Sequence, residues 1–233
     1  MADTDLSRAQ GEVAELLSDL IRIDTTNTGV TATGKGERRA AEWVAGKLDE
    51  VGIDSVIHES ERGRASLVAR IPGQDRSREA LLIHGHLDVV PADPAEWSVH
   101  PFSGEERDGY VWGRGAVDMK DMDAMTLALV RDWARTGVRP ARDVVLAFVA
   151  DEEAGGRLGA RYLVELAGDP LGRRPLTLAG GGVPGVGRVD ADEVGQQLRD
   201  LVLGSGEGGG SGLGHADDRA TGGLQSLAEA RLC

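Results

Sequence analysis

One cysteine occurs in 233 residues, and it is the last, Cys233, so no internal disulfide can hold this chain together. Aromatic residues make up only 3% of it, although 40% apolar content is still enough for a core. No apolar run approaches the length of about 18 residues that a membrane span needs. Nor does a basic segment followed by an apolar one open the chain, so a secretory signal is not indicated and the cytoplasm is the expected compartment. Basic residues are outnumbered, 26 Lys and Arg against 39 Asp and Glu, for a formal charge of −13. That balance disfavours nucleic acid and anionic membrane as partners.

A second set of absences is local. From Leu163 to Cys233 there is no Phe, Tyr, Met, Ile, Asn or Lys, whereas the first 162 residues hold 18 of them, a rate that would put about eight in the rest. Glycine moves the other way, with 17 in the first 162 residues and 17 in the last 71. A flexible linker accounts for the glycine but not for the missing Lys and Asn. The six absent residues share AT-rich codons, and their joint loss is what a GC-rich gene read out of frame would give. The expectation is a body over residues 1–165 and a glycine-rich tail over 166–233 that is non-native or disordered.

What is present in the body alternates. Leu6–Ile21 and Gly36–Val51 carry apolar residues at helical spacing, the second closed by Gly52. Ser55–His58, Ala65–Ile71 and Glu79–Ile83 are short runs bounded by Gly, Pro and charge, and read as strands. Met119, Met122, Met125, Leu129 and Trp133 mark a helix starting just after Asp118. Asp143–Val149 is a nearly continuous apolar run of the kind buried on both faces, and Gly159–Glu165 begins another helix. This order predicts an α/β three-layer sandwich around a central mixed or parallel sheet, with sites at the carboxyl ends of strands.

Three polar clusters fall at those ends: HGHLDVVP (His84–Pro91), GRGAVDMKD (Gly113–Asp121) and DEEAGG (Asp151–Gly156). Each alone has an ordinary explanation. A histidine with an acid two residues on is common in surface loops, Asp118 could be a helix N-cap, and three consecutive acids could be a solvated run. Their conjunction is the signal, because an imidazole with convergent carboxylates is a donor set for divalent metal, and crowded carboxylates need a cation or water to neutralise them.

In this order the clusters resemble the M20 family of metallopeptidases and aminoacylases, which includes succinyl-diaminopimelate desuccinylase, acetylornithine deacetylase and carboxypeptidase G. The resemblance runs from about Leu16 to Glu165 and also takes in LIRIDTTN (Leu20–Asn27), GERRAAEWVAGKLDEVG (Gly36–Gly52) and the stretch from Trp97 to Asp121. It implies a two-metal amide hydrolase, zinc being favoured with cobalt or manganese possible, acting on a small N-acyl amino acid or peptide. Carried over residue by residue, it implies that His86 binds one metal and Asp88 orients it. Asp118 bridges both metals, Glu153 binds the second, and Glu152 is the general base. Asp121 stands where many relatives have Gly, and was expected to be an exposed carboxylate. His84 is left structural, and His58 and His100 read as surface residues.

The resemblance also implies parts that do not follow in this sequence. No acid lies between Asp169 and Asp190, and His215 stands in the glycine-rich tail without the lid domain through which the family dimerises and binds substrate. By the carry-over each metal keeps two protein ligands, so a truncated, impaired enzyme is expected, with an inactive fragment or a non-catalytic interaction protein as the alternative. GGGVPG (Gly180–Gly185) is a weak match to a nucleotide-binding loop, interrupted by Pro184.

Overall fold

The computed structural model describes residues 7–167 and the short strand Glu229–Arg231. Apart from those stretches, the segment read from sequence as a separate tail lies outside the described residues, and so do His215 and GGGVPG.

A four-stranded mixed sheet forms the centre. Its strands are β1 (Ser55–Glu61), β2 (Arg64–Ile71), β3 (Leu81–His86) and β6 (Val144–Val149), in the spatial order β1-β2-β6-β3. β1 pairs antiparallel with β2 and β2 antiparallel with β6, while β3 runs parallel to β6. Side chains alternate across it, as the period of two requires. Ala65, Leu67, Ala69 and Ile71 of β2 and Val144, Leu146 and Phe148 of β6 enter one core. Val68, Val145, Ala147 and Val149 enter the other. β6 is buried at all six positions, in accord with its unbroken apolar sequence.

Helices α1 (Ser7–Arg22), α2 (Arg38–Asp49) and α3 (Lys120–Thr136) cover the first face, and α4 (Ala160–Ala167) lies on the second with Leu163 buried there. That is the expected three-layer arrangement. α1 turns Leu16, Leu17, Leu20 and Ile21 inward, each worth about 1.5–3 kcal/mol of burial relative to exposure. α3 departs from its sequence marking. Met122 and Met125 are exposed, and the buried stripe is instead Ala124, Leu127, Ala128 and Val130.

Two buried cations tie the helical layer. Arg131 on α3 donates through Nε and Nη2 to Glu12 Oε1 of α1, at 3.0 and 2.8 Å, and through Nη1 to the Lys47 carbonyl of α2. Lys120, at the start of α3, donates from Nζ to the carbonyls of Leu20 and Ile23 at 2.9 and 2.8 Å. Those carbonyls lie in the last turn of α1 and just past it, where a cation is favoured by the helix dipole. Burial lowers Lys120 to about 8.

A small hairpin, β4 (Glu105–Arg107) and β5 (Tyr110–Trp112), turns through Asp108 and Gly109, both at positive φ. β7 (Glu229–Arg231) pairs antiparallel with β5. No helix among the described residues is long and apolar enough to cross a membrane.

Candidate metal centre

β3 and β6 are parallel neighbours with His86 opposite Val149, so both strands deliver their following residues to the same edge of the sheet. β3 ends on His86. β6 is followed by Ala150, Asp151 and the single 3-10 turn Glu152–Ala154. The loop from Gly113 to Met119 brings a third contribution, because α3 starts at Lys120 and its N-cap is Met119. Asp118 is therefore not spent on capping. Its side chain is largely exposed and reaches His86 Nε2 with Oδ1 at 3.0 Å.

His86, Asp118 and Glu153 each offer a donor atom, and these atoms lie within 4.8 Å of one another. Glu152 joins the rim, with Oε2 3.6 Å from His86 Nε2 and its carboxylate mostly open to solvent. The imidazole is buried and its other nitrogen, Nδ1, donates to the main-chain carbonyl of Asp88 at 3.0 Å. An acceptor there fixes the proton on Nδ1 and leaves Nε2 facing the carboxylates. A shallow cleft opens beside them, lined by Val90, Arg114 and Val117 together with Asp118 and Glu153.

The electrostatics are those of a site short of positive charge. Burial alone would lower the pKa of His86, but Asp88, Asp118 and Glu152 outweigh it and raise it above the ordinary imidazole value. Burial raises the carboxyl of Glu153; His86 opposes the shift, and Asp118, Asp88 and Glu152 add to it. One imidazole and two carboxylates at this spacing suit a divalent cation, which would offset the burial and the neighbouring acids that raise Glu153.

Asp88 takes a different position from the one expected of an orienting carboxylate. It is fully buried, and its Oδ1 lies 3.7 Å from His86 Nδ1, farther than its own carbonyl. The carboxylate is engaged by the glutamate turn: Oδ1 accepts the Glu152 N–H at 3.1 Å and Oδ2 the Glu153 N–H at 3.0 Å. A third donor, Asn27 Nδ2, reaches Oδ2 at 2.8 Å.

Asn27 closes the LIRIDTTN motif, which gives no sign of its role. The segment around it runs parallel to the exit of β3, with a bridge between Thr26 and Val89, the Asn27 N–H on the Val89 carbonyl at 2.8 Å, and Thr25 Oγ1 on the Leu87 carbonyl at 2.7 Å. Behind it stands a fully buried ion pair, Arg64 with Glu37 at 2.5 Å, and Arg64 Nη2 also donates to Asn27 Oδ1 at 2.6 Å. Burial raises the Glu37 carboxyl against the pull of Arg64. Asp151 sits in the left-handed region at φ 64, with its carboxylate buried against Asn27 Nδ2 at 3.3 Å and the Leu158 N–H at 2.9 Å. It builds the turn and does not face the donors.

The remaining sequence expectations divide. His84 is exposed and outside the cluster, and His100 is exposed. His58 is not a surface residue: it is half-buried in β1, its Nε2 has no hydrogen-bond partner, and burial lowers its pKa. Asp121 is likewise not an exposed carboxylate. The first turn of α3 is folded against the site loop, so Asp121 is half-buried with Oδ1 unpartnered, and burial raises its pKa.

Known proteins share both sequence and fold with this chain. N-fatty-acyl-amino acid synthase/hydrolase PM20D1 of Xenopus tropicalis is 33% identical over 155 residues, covering 66% of this chain and 30% of that protein. Succinyl-diaminopimelate desuccinylase of Paracoccus denitrificans is 45% identical over 83 residues, 35% of this chain and 22% of the other. Among solved structures, human carnosine dipeptidase 1 superposes with a TM-score of 0.57 at 21% identity over 70% of this chain and 36% of its own. An M20 family metallo-carboxypeptidase from Sulfolobus solfataricus gives 0.56 at 24%, over 67% and 34%. These two share the fold. The chain thus spans about a third or less of the length of such relatives. The model of Peptidase family M20/M25/M40 matches residues 82–221, a stretch that holds all three sequence clusters and continues past the body read from sequence. With that match over more than half its length, this chain belongs to peptidase family M20/M25/M40.

Proposed function

We propose that this chain carries part of the centre of a metal-dependent amide hydrolase acting on N-acyl amino acids or peptides. The observation that carries the reading is the convergence of His86, Asp118 and Glu153, whose donor atoms lie within 4.8 Å of one another at the carboxyl ends of two parallel strands. In this reading His86 and Asp118 would hold one divalent ion, and Asp118 and Glu153 would hold a second. Zinc fits the donors, and so do cobalt and manganese. Bound there, a metal pair supplies Lewis acidity toward an amide carbonyl and lowers the pKa of water.

The chain's own residues do the rest. Glu152 Oε2, exposed at the rim, takes the proton from the attacking water and returns it to the leaving nitrogen. Asp88 holds the main chain of both glutamates, and its carbonyl keeps the proton of His86 on Nδ1. Each metal would have two protein ligands among the described residues, one fewer than a catalytic zinc normally has. Metal binding by this chain is therefore expected to be weak and turnover low; a chain that binds without turning over is the alternative.

Hydrolysis of N-acyl amino acids and dipeptides with and without added zinc or cobalt tests this. Metal-dependent turnover is expected to fall about 10²–10⁴-fold in Glu152→Gln, where the amide keeps the shape but cannot take a proton, with metal occupancy held. Asp118→Ala should lose the metal itself. Turnover independent of added or chelated metal would overturn the reading.

A further inference from the structure

We infer that Asn27, clamped by Arg64, is a positioning residue that sets where Glu152 and Glu153 stand relative to His86. The inference rests on the reading of His86, Asp118 and Glu153 as metal ligands, and it adds a residue from a distant part of the chain to that site.

The argument begins with the two ends of one amide. Asn27 is buried, and its Oδ1 receives two donors, Arg64 Nη2 at 2.6 Å and the Gly29 N–H at 2.9 Å. Two donors at that end fix which end is the oxygen, so the NH2 group must face the other way. There it meets two carboxylates, Asp88 Oδ2 at 2.8 Å and Asp151 Oδ1 at 3.3 Å. Both are buried. No other neutral side chain of this size offers an acceptor to a guanidinium and two donors to a pair of carboxylates at once.

The second step is what those carboxylates hold. Asp88 accepts the N–H groups of Glu152 and Glu153, and its carbonyl takes His86 Nδ1, so one residue references both the imidazole and the glutamate turn. Asp151 starts that turn and closes it through the Leu158 N–H. Asn27 bridges the two acids, which locks the exit of β3 to the exit of β6. Arg64 is itself held at Nη1 by Glu37, the residue that precedes α2. Glu37 makes no side-chain cap on that helix, because its carboxylate is turned toward Arg64.

Removing the donor end while keeping the acceptor end isolates the effect. Asn27→Asp retains an oxygen for Arg64 and Gly29 but sets a third carboxylate against Asp88 and Asp151. In the metal-free chain, amide hydrogen exchange at Glu152 and Glu153 is expected to speed up about 10- to 100-fold, the size of losing hydrogen bonds to a charged group, while the amides of β2 and β6 stay as protected as in the parent. In the same variant, cobalt binding read from its visible absorption should weaken about 10- to 100-fold, as when a residue supporting a ligand is lost. Unchanged exchange at both glutamates overturns the inference, and so does an equal rise across β2 and β6, which would mean a general loss of stability. If Asn27→Asp does not fold, Arg64→Lys is read at the same two amides; lysine lacks the two separate guanidinium nitrogens that reach Glu37 from Nη1 and Asn27 from Nη2, and the same selective rise is expected. A parent chain that takes up no cobalt would defeat the metal reading, and the exchange data would still decide the role of Asn27.

Discussion

Asp123 is the residue whose chemistry fits its surroundings least. It is fully buried in the first turn of α3, and neither carboxylate oxygen has a hydrogen-bond partner. It packs against Gly85, between the two histidines of the β3 motif: a Cβ at Gly85 would lie 2.0 Å from Asp123 Oδ1, so this position admits only glycine while the aspartate is there. Burial raises its pKa well above 3.8; Lys120 opposes the shift, and Asp121 and Asp88 add to it. The Lys120 ammonium is already committed to two carbonyls of α1. The sign of the linkage follows. Above 3.8 the unfolded chain ionises freely while the folded one resists, so stability falls as pH rises from there through the folded pKa. Asn at 123 keeps the shape and removes the titration. Urea unfolding should find Asp123→Asn close to the parent near pH 4 and more stable than it near pH 7.5. A gap of the same size at both pH values would mean that Asp123 is ionised in neither case or in both.

Among the elements, α4 is tied to the site through the residue before it. Gly159 precedes it, and a Cβ there would lie 1.6 Å from the Ala150 carbonyl oxygen, at the end of β6 and just before the acidic turn. Gly159→Ala should destabilise by about 1–3 kcal/mol, the usual range for overpacking, and should weaken metal binding because the strain falls next to Asp151. Gly11→Ala is the matching control. Gly11 is exposed in α1 with nothing within 4 Å of an added Cβ, and replacing a helix-interior glycine should stabilise by about 0.5–1 kcal/mol. Thermal melts of the two variants should move in opposite directions. Elements of this kind were largely legible from sequence, since period 2 and period 3.6 are local signals, and β6 and α1 follow their patterns closely. The hairpin around Asp108 and Gly109 was overlooked although that dipeptide is a strong turn signal, because each of its strands is only three residues long. The strand order β1-β2-β6-β3 was not legible, since pairing β2 with β6 joins residues some 80 positions apart, such as Leu67 and Phe148. For the same reason the motifs pointed to His86, Asp118 and Glu153, each inside a recognisable cluster and brought together by the fold, but not to Arg64 and Glu37. Arg64 lies in no motif, and Glu37, although inside the Gly36–Gly52 stretch, meets Arg64 and through it Asn27 only in the fold.

For the molecule as a whole, the decisive quantity is how strongly a cation couples to folding. The chain carries a net charge of −13, and at its candidate centre burial and neighbouring acids keep Glu153 from ionising as freely as a solvent carboxylate. A metal that binds only the folded state stabilises it by mass action, by about 2.7 kcal/mol at a free concentration one hundred times Kd. For a domain of 150–250 residues each kcal/mol moves Tm by roughly 2–4 °C, so saturating cobalt or zinc should raise the melting temperature by roughly 5–10 °C. The rise should grow with metal concentration without a sharp plateau at stoichiometric amounts, since the proposed pair of ions would have two protein ligands each and bind weakly, and it should reverse on adding a chelator. His86→Ala removes the only imidazole of the cluster and should abolish most of the shift, with its metal-free melt altered far less. A Tm that does not respond to millimolar metal, or an equal response in His86→Ala, would place any bound metal elsewhere on this acidic surface and leave the convergence of His86, Asp118 and Glu153 without a cation to explain it.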